Sequence, residues 1–493
     1  ALTRYEVDAT RDDDGVWLYV RDEETRRVWL ATSAEGRTTY SMHKVEFHLR
    51  NEGISVHVDV AVAAADDVEV RQVTLHNETN RPRRLTVTSA GRPVLFDATQ
   101  ASSHPAFSSM FIESERIAEL DALLITRRPQ TAEEEPAVLV HRLVWEGTDV
   151  TFAGDESDRM EFFGRGGSQQ APVSLVTQEG GLVHRVGAVL DPVMSLTARV
   201  DLAVKGSVTL AFVTTIGRSR AAAVELARKY GSMQEVRWTF RDAEQESPRR
   251  LQRTKLEPAL LPTVQRLFSA LLFASPALRA ASNARAAAPA CQRRLWGRGI
   301  SGDNPIVFVR VNDPDAPLLR EILAAQRYLR SSGVRLDLVL VDEQASGYVT
   351  EGSGTLRSVL VLNEVGDWLN RHGGVFVIAA DQVPEGELRH LEACARVLLD
   401  TRDGSLVARL GRAAESPPNL PQFEPTLVAE AAEPPRPRPK LLFDNGTGGF
   451  SEDGHEYILE VRPGKVTPAP WCNVLANPEF GCLVSESSLG ATW

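Results

Sequence analysis

Three strings in this chain hold residues that could do chemistry. Trp296-Gly297-Arg298-Gly299-Ile300-Ser301-Gly302-Asp303-Asn304-Pro305 combines glycines with a carboxylate. Glycine permits close backbone approach and positive φ, so its composition suits a phosphate-cradling loop. Its position does not. Phosphate loops follow a strand and open a helix, so that amides and helix dipole face the anion. This string precedes an apolar strand. The better reading is a turn that locks the following segment against the preceding β domain. Asp303 then ties the turn through nearby amides, which its short side chain can reach.

Asp155-Glu156-Ser157-Asp158-Arg159, followed by Phe162-Phe163-Gly164-Arg165-Gly166, gathers carboxylates and arginines. Two carboxyl groups can serve as acid and base in glycosidic cleavage. Adjacent carboxylates in a loop are more commonly solvated or paired with arginine, and that reading is preferred. Thr467-Pro468-Ala469-Pro470-Trp471 fixes a large aromatic in a rigid turn. Sugars stack on aromatic faces through their apolar axial C–H groups. The prolines would also stiffen a sandwich edge with no ligand at all. The ten histidines show neither triad nor metal-ligand spacing, so no metal is expected, and His104 reads as structural. Cys291, Cys394, Cys472 and Cys482 contain no CxxC pair, which argues against zinc and thioredoxin chemistry. A reducing compartment is expected.

The elements that would position these groups fall into blocks. Residues 1–215 read as all-β. Val56–Val62 and Val68–Leu75 alternate apolar with other residues, Leu85–Thr88 resumes the pattern, and Val183–Val189 and Val208–Thr214 follow. Short alternating strands with turn signals between them predict an antiparallel sandwich. Residues 216–294 form a helical connector. Helices are expected over Arg218–Lys229, closed by Gly231, and over Leu260–Phe273 with Pro262 in the first turn. Residues 295–410 alternate continuous apolar strands with helices: Ile306–Val311, Pro317–Ser331, Leu336–Val341, Val375–Ala379, Glu385–Ala395 and Val397–Leu399. That pattern predicts a small parallel sheet covered on both faces. Residues 411–440 are a Pro-rich linker. Residues 441–493 start a second sandwich that is too short to close by itself.

At 493 residues the chain needs two or three domains, and 43% hydrophobic residues suffice for real cores. A net charge of −11 without long single-sign runs argues against nucleic acid or an anionic membrane as partner. The opening Ala1-Leu2-Thr3-Arg4 lacks an initiator Met, a basic region and an apolar core. No apolar run reaches about 18 residues, so no membrane contact is expected from this segment.

Several strings together carry a family resemblance. Thr3–Asp8, Gly15–Asp22 and Val28-Trp29 near the start resemble elements of the amino-terminal β-sandwich of glycoside phosphorylases of the cellobiose phosphorylase type, glycoside hydrolase family 94 (formerly glycosyltransferase family 36). Asp444–Phe450, Thr467–Val474, Phe480-Gly481 and Val484–Ser487 near the end resemble elements of the same sandwich. In that family the end elements come first. The chain therefore reads as a fragment that enters one sandwich late and leaves a second one early. The Trp296–Asp303 string resembles one found in the cyclic β-1,2-glucan synthases. Asp158–Gly166 resembles an Asp-Arg-x-x-Phe-x-Gly-Arg-Gly element that is not the family's catalytic centre.

The resemblance implies a very large sandwich of the galactose mutarotase type in a multidomain β plus α/β chain. It implies a parent on the cytoplasmic side, with an inner-membrane protein as one form of that parent. The parent would adjust β-glucans by inverting phosphorolysis, with inorganic phosphate as co-substrate and no cofactor. The family's general acid is an Asp in an (α/α)₆ barrel, and nothing here matches it, so no catalytic residue is assigned and the fragment alone is expected to be inactive. Ser487-Ser488-Leu489-Gly490 stands where the family has a Gly-rich loop. The sandwich region lies near the family's active site, which makes Trp471, Asn473 and Asn445 the sugar-side candidates. The partners implied are a β-glucan and the rest of the parent polypeptide. Two rival readings stay open: a structural or interaction module without sugar contact, and a standalone α/β enzyme in 295–410.

Overall fold

Strict alternation makes a strand two-faced, and most of the first half of the chain follows it. The computed structural model describes all residues except 9–13, 33–35, 97–103, 166, 178–181, 183, 282–283, 286–290, 344–350, 415–438, 462–465 and 488–489. The described residues divide into two compact units, those within 1–5, 13–243 and 425–493 and those within 6–12 and 244–424.

The first unit opens with β1 (Val16–Asp22), β2 (Val28–Leu30), β3 (Arg37–Tyr40), β4 (Val45–Asn51), β5 (Ile54–Val62), β6 (Val68–Asn77) and β7 (Arg83–Gly91). It continues with β8 (Ile112–Ile117), β9 (Ala122–Arg127), β10 (Val138–Trp145), β11 (Val150–Asp158), β12 (Gly187–Ala188), β13 (Pro192–Leu202) and β14 (Ser207–Gly217). A five-stranded sheet has the order β11-β13-β7-β1-β2, and a nine-stranded sheet has the order β12-β8-β9-β10-β14-β6-β5-β4-β3. All pairings in both sheets are antiparallel.

Val56, Val58, Val73, Leu75 and Phe212 from the larger sheet meet Leu85, Val87, Leu196, Ala198 and Val200 from the smaller one in a single buried core. Each fully buried Val or Leu contributes roughly 1.5–3 kcal/mol over an exposed one. Of the strand expected over Val183–Val189, the structure forms Gly187–Ala188, paired with Ser114 and Glu113; His184 and Arg185 bond through their backbone to Asp155 and Ser157 instead, and Val183 lies outside the described residues.

Helix α1 (Arg220–Lys229) begins at Ser219, whose hydroxyl accepts from Ala222 N at 3.2 Å. It lays Ala223 and Ala227 on the outer face of the nine-stranded sheet, against Ala122, Leu124, Val138 and Val140. Gly217 allows that close approach, since a Cβ there would meet Ala223 N at 2.4 Å. The chain passes to the second unit within α2 (Met233–Thr254).

The second unit holds α3 (Leu261–Leu272), with Pro262 in its first turn, and a four-stranded parallel sheet. Its elements are β15 (Ile306–Val311), α4 (Pro317–Ser331), β16 (Asp337–Asp342), α5 (Glu351–Leu362), β17 (Val375–Ala379), α6 (Glu385–Cys394), β18 (Val397–Asp400) and α7 (Leu406–Ala414). The strand order is β17-β16-β15-β18. Val307, Val309, Leu338 and Leu340 face one apolar layer, while Phe308, Val339 and Val341 face another. Burial on both faces is why these strands read as unbroken apolar runs. Helix α7 runs to Ala414, inside the stretch expected as linker, and residues 415–438 lie outside the described ones.

The last segment forms β19 (Gly448–Phe450) with β20 (Tyr457–Leu459), and a separate sheet of β21 (Cys472–Ala476), β22 (Gly481–Ser485) and β23 (Gly490–Thr492). No helix among the described residues is long and apolar enough to cross a membrane.

Candidate functional site

Asp444-Asn445-Gly446 makes the turn into β19. Asp444 Oδ1 accepts from Gly446 N at 2.8 Å, and Gly446 takes φ +89°. Asn445 Oδ1 accepts from the amides of Thr447 and Gly448, each at 3.0 Å, which is an Asx-type closure. Its Nδ2 is then free to donate to the Tyr457 hydroxyl at 3.2 Å. Tyr457 sits directly across β19–β20 from Phe450, whose ring meets it edge-on at 5.0 Å. On its flat side Tyr457 stacks on Trp471, with centroids 4.5 Å apart and an interplanar angle of 0°.

Glu486 holds Trp471 in place. One oxygen, Oε2, accepts from Trp471 N at 2.9 Å. The other, Oε1, accepts from Thr467 Oγ1 at 2.6 Å and from Arg165 Nη2 at 2.7 Å. Glu486 N in turn donates to Trp471 O at 3.0 Å. The Thr467 hydrogen bond, aided by backbone amides and Arg165, holds the Glu486 carboxyl below the usual carboxylate range. A general acid at neutral pH needs the opposite shift. The Thr-Pro-Ala-Pro-Trp turn is thus clamped at Thr467 and at Trp471, while the Trp471 side remains exposed.

Of the three residues expected on the sugar side, the structure joins two. Asn445 reaches Trp471 through Tyr457. Asn473 is exposed, and its Oδ1 turns to the amide of Val474 at 2.9 Å. Two residues of the cluster were assigned no role from sequence, Tyr457 and Glu486. Tyr457 could have been found as the aromatic opposite Phe450 across a short hairpin. Glu486 had no local signal, because all its partners except the neighbouring turn arrive by folding.

The acidic run in β11 resolves into structural pairings. Asp155 contacts Arg116 at 3.2 Å and His184 at 3.0 Å. Glu156 Oε1 accepts from the amides of Ser157 and Asp158. Asp158 pairs with Arg185 at 3.0 Å and caps the short helix Arg159–Phe163 through Met160 N. The strand carries register shifts at both ends of this run. Such bulges re-aim side chains, here toward basic partners. His104 caps the short helix Pro105–Ser109 without a side-chain bond.

The Trp296–Pro305 string is a turn, but its bonds differ from the expectation. Gln292 Nε2 and Trp296 Nε1 both donate to Ser301 O, at 2.9 and 3.1 Å. Asp303 N donates to Ser301 Oγ, and the Asp303 carboxylate accepts from Gln292 Nε2 at 3.2 Å rather than from backbone amides. Gly299 and Gly302 take positive φ and point the chain so that Ile300 is fully buried. Arg298 forms a two-pronged pair with Glu387 of α6, at 2.7 and 3.1 Å. The turn is therefore anchored to the α/β unit itself.

A standalone α/β enzyme would place its ligand at the carboxyl ends of the parallel strands. One cavity, of about 600 Å³, lies at their amino ends, where Pro305, Ile306 and Arg396 line it with Asp303, Arg279 and Cys394. Another, of about 300 Å³, flanks β18 toward its carboxyl end, at Arg310, Asp400 and Asp403. Its charges are paired internally: Arg310 with Glu392 and Glu343, and Arg409 and Arg412 with Asp403.

Comparison with known proteins bears on the whole chain. The sequence description of the glycosyl hydrolase 94 supersandwich domain matches residues 1–233 and 455–493, more than half of the chain. The cyclic beta-(1,2)-glucan synthase NdvB of Rhizobium meliloti (strain 1021) is 29% identical across the full chain, which spans 18% of that protein. Among solved structures, a bacterial glucoamylase complexed with acarbose aligns over 53% of this chain and 36% of its own, with 8% identity and a TM-score of 0.33. A kojibiose phosphorylase from the human microbiome aligns over 48% of this chain and 27% of its own, with 7% identity and a TM-score of 0.28.

Proposed function

This chain belongs to the glycosyl hydrolase 94 supersandwich family, and on that premise we propose that it is the carbohydrate-facing scaffold of a cyclic β-1,2-glucan synthase-like enzyme. The parent acts on β-glucans, using inorganic phosphate as co-substrate. Phosphate attacks the anomeric carbon with inversion while an acid elsewhere in the parent protonates the glycosidic oxygen. This segment supplies an aromatic platform and not the acid.

The observation that carries the reading is the state of Trp471. Its ring is stacked on Tyr457 on one side and its backbone is clamped by Glu486, yet it remains 47% exposed. An exposed tryptophan held rigid on both counts costs little ordering entropy when a sugar's axial C–H face settles on it. Asn445 acts here as a positioning residue, since its carboxamide is spent on the turn and on the Tyr457 hydroxyl. Asn473, two residues along from Trp471 and exposed, accepts at Oδ1 from Val474 N, and its amide nitrogen is the donor it offers to a sugar hydroxyl.

The rest of the parent polypeptide is the second partner. β21–β23 leave Val474, Leu475, Phe480 and Trp493 exposed, a concentration of apolar side chains that marks a contact surface. A purely structural module would use that surface and have no use for the platform. Calorimetric titration of the chain with linear β-1,2-glucan oligosaccharides separates the two readings. Saturable binding that Trp471→Ala weakens about tenfold supports the scaffold reading. Absence of binding, or binding unchanged in Trp471→Ala, leaves the structural module.

A further inference from the structure

On the outer face of the nine-stranded sheet, strands β4 and β5 bring two histidines and two carboxylates into one square. The turn between them is the two-residue loop Glu52-Gly53, with φ of 51° and 76°. Positive φ at both positions is the hairpin turn whose twist matches the strands, and it fixes register. Asn51 pairs with Ile54, so His48 falls opposite His57 and Glu46 opposite Asp59. Side chains two apart on a strand share a face. All four therefore project together.

Their geometry is that of a ligand set. The ligand atoms of Glu46, His48 and His57 all lie within 4.8 Å of one another. His57 Nε2 stands 3.3 Å from Asp59 Oδ2 and 3.8 Å from Glu46 Oε1. Donors around a tetrahedral zinc ion, at bond lengths of about 2.0–2.1 Å, are separated by about 3.3 Å. The His57 Nε2 atom is buried and makes no well-formed hydrogen bond. A ring nitrogen facing two carboxylates in this way holds either its own proton or a shared cation between them. The two imidazoles also lie together, with centroids 4.0 Å apart. Lys44 Nζ touches one oxygen of each carboxylate, Glu46 Oε1 at 2.7 Å and Asp59 Oδ1 at 2.8 Å. These contacts leave Glu46 Oε2 and Asp59 Oδ2 unclaimed by the lysine, whose own positive charge opposes a cation placed beside it.

We propose that Glu46, His48 and His57, completed by Asp59, form a binding site for one borderline divalent cation of the zinc type. The mixed imidazole and carboxylate donors favour zinc, nickel or copper over magnesium and calcium, which prefer all-oxygen surroundings. The site is independent of the glucan reading, because it uses none of the platform residues. It also replaces the expectation, drawn from histidine spacing, that the chain carries no metal ligands.

The test uses the full chain stripped with a chelator and titrated with zinc by calorimetry, and with cobalt(II) as a spectroscopic probe. One equivalent should bind, giving the visible bands of a low-coordinate cobalt site without thiolate charge transfer. The second point matters because Cys291, Cys394, Cys472 and Cys482 are free and could bind cobalt themselves. His48→Ala and His57→Ala should weaken binding by more than about a hundredfold, a loss that removal of a mere supporting residue can already approach. Lys44→Met keeps every donor and removes a like charge, so it should tighten binding roughly tenfold. That variant keeps the proposal testable if a histidine variant fails to fold. No saturable binding overturns the site. So does binding that survives His57→Ala, a thiolate band, or weakened binding in Lys44→Met.

Discussion

Asp22 and Arg83 form a buried ion pair between the neighbouring strands β1 and β7. Arg83 Nε donates to Asp22 Oδ2 at 2.8 Å, and both side chains are essentially inaccessible. The other carboxylate oxygen accepts from the amides of Glu24 and Thr25, at 2.8 and 2.9 Å. Arg83 Nη1 also donates to Glu52 O at 2.8 Å. One pair thus closes the β1–β2 turn and holds the hairpin that sets His48 against His57.

Removing one partner leaves the other charge buried and unpaired. Arg83→Ala is therefore expected to cost about 3–5 kcal/mol, read as a lowered denaturant midpoint. Burial pushes the Asp22 carboxyl up, but Arg83 and the two amides together outweigh it and hold it below the ordinary carboxylate value. Its contribution is present above that ordinary value and is lost as pH falls through the lowered one. A loss under 1 kcal/mol in Arg83→Ala would refute the assigned role.

His141 couples the two sheets. Its Nδ1 meets Thr214 Oγ1 at 2.9 Å within the larger sheet, and its Nε2 meets Ser89 Oγ at 3.1 Å on the smaller one. Burial disfavours its charged form and lowers its pKa to about 4. The unfolded chain binds the proton near the ordinary value of 6.5, so stability is fully present above that pH. It should fall by about 1.4 kcal/mol per pH unit as pH drops from 6.5 toward 4. Urea midpoints at pH 7.5 and 5 compare the wild type with His141→Gln, in which this slope should be absent. An equal slope in both would assign the acid sensitivity elsewhere.

The platform should depend on its clamp as well as its ring. Trp471→Ala is expected to weaken β-1,2-glucan binding about tenfold, the worth of one aromatic contact. Glu486→Gln keeps the ring but presents an amide to Thr467, Arg165 and Trp471 N. It should also weaken binding, by a comparable factor, with the tryptophan still present. Unaltered affinity in Glu486→Gln would mean that the turn holds its shape without the carboxylate.

The chain by itself should release no glucose 1-phosphate from β-1,2-glucan in the presence of phosphate. General acid catalysis is worth roughly 10²–10⁴-fold. The carboxylate at the platform, Glu486, is shifted in the wrong direction for that task and is already engaged by three donors. Turnover by pure protein that vanishes on mutating a carboxylate of this chain would contradict the scaffold assignment.

Asp303→Asn should change stability by no more than about 0.5 kcal/mol, as is usual for exposed positions, and should leave glucan binding intact. Its side chain contributes one long bond to Gln292, whereas Ser301 carries the turn. Ser301 acts mainly through its carbonyl. A loss of glucan binding in Asp303→Asn without loss of stability would give the turn a functional part.

Much of the molecule was determined by the sequence alone, because periodicity is a local property. Alternation at Val56–Val62 and Val68–Leu75 dictated two-faced strands, and the unbroken run Ile306–Val311 dictated a strand covered on both sides. Pro262 marked a helix start through chemistry that acts within one turn. The rigid Thr467–Trp471 bend was legible for the same reason. The partners of those elements were not. That Tyr457 lies flat on Trp471, that Glu486 joins Arg165 to Thr467, and that Asp155 and Asp158 are neutralised by Arg116 and Arg185 all depend on chain segments brought together from far apart. The histidines show the division most clearly. Their spacing along the chain carries no ligand signature. The Glu52-Gly53 turn fixes a register that sets His48 against His57 and Glu46 against Asp59, and the cluster on which the proposed metal site rests forms only once two strands have paired.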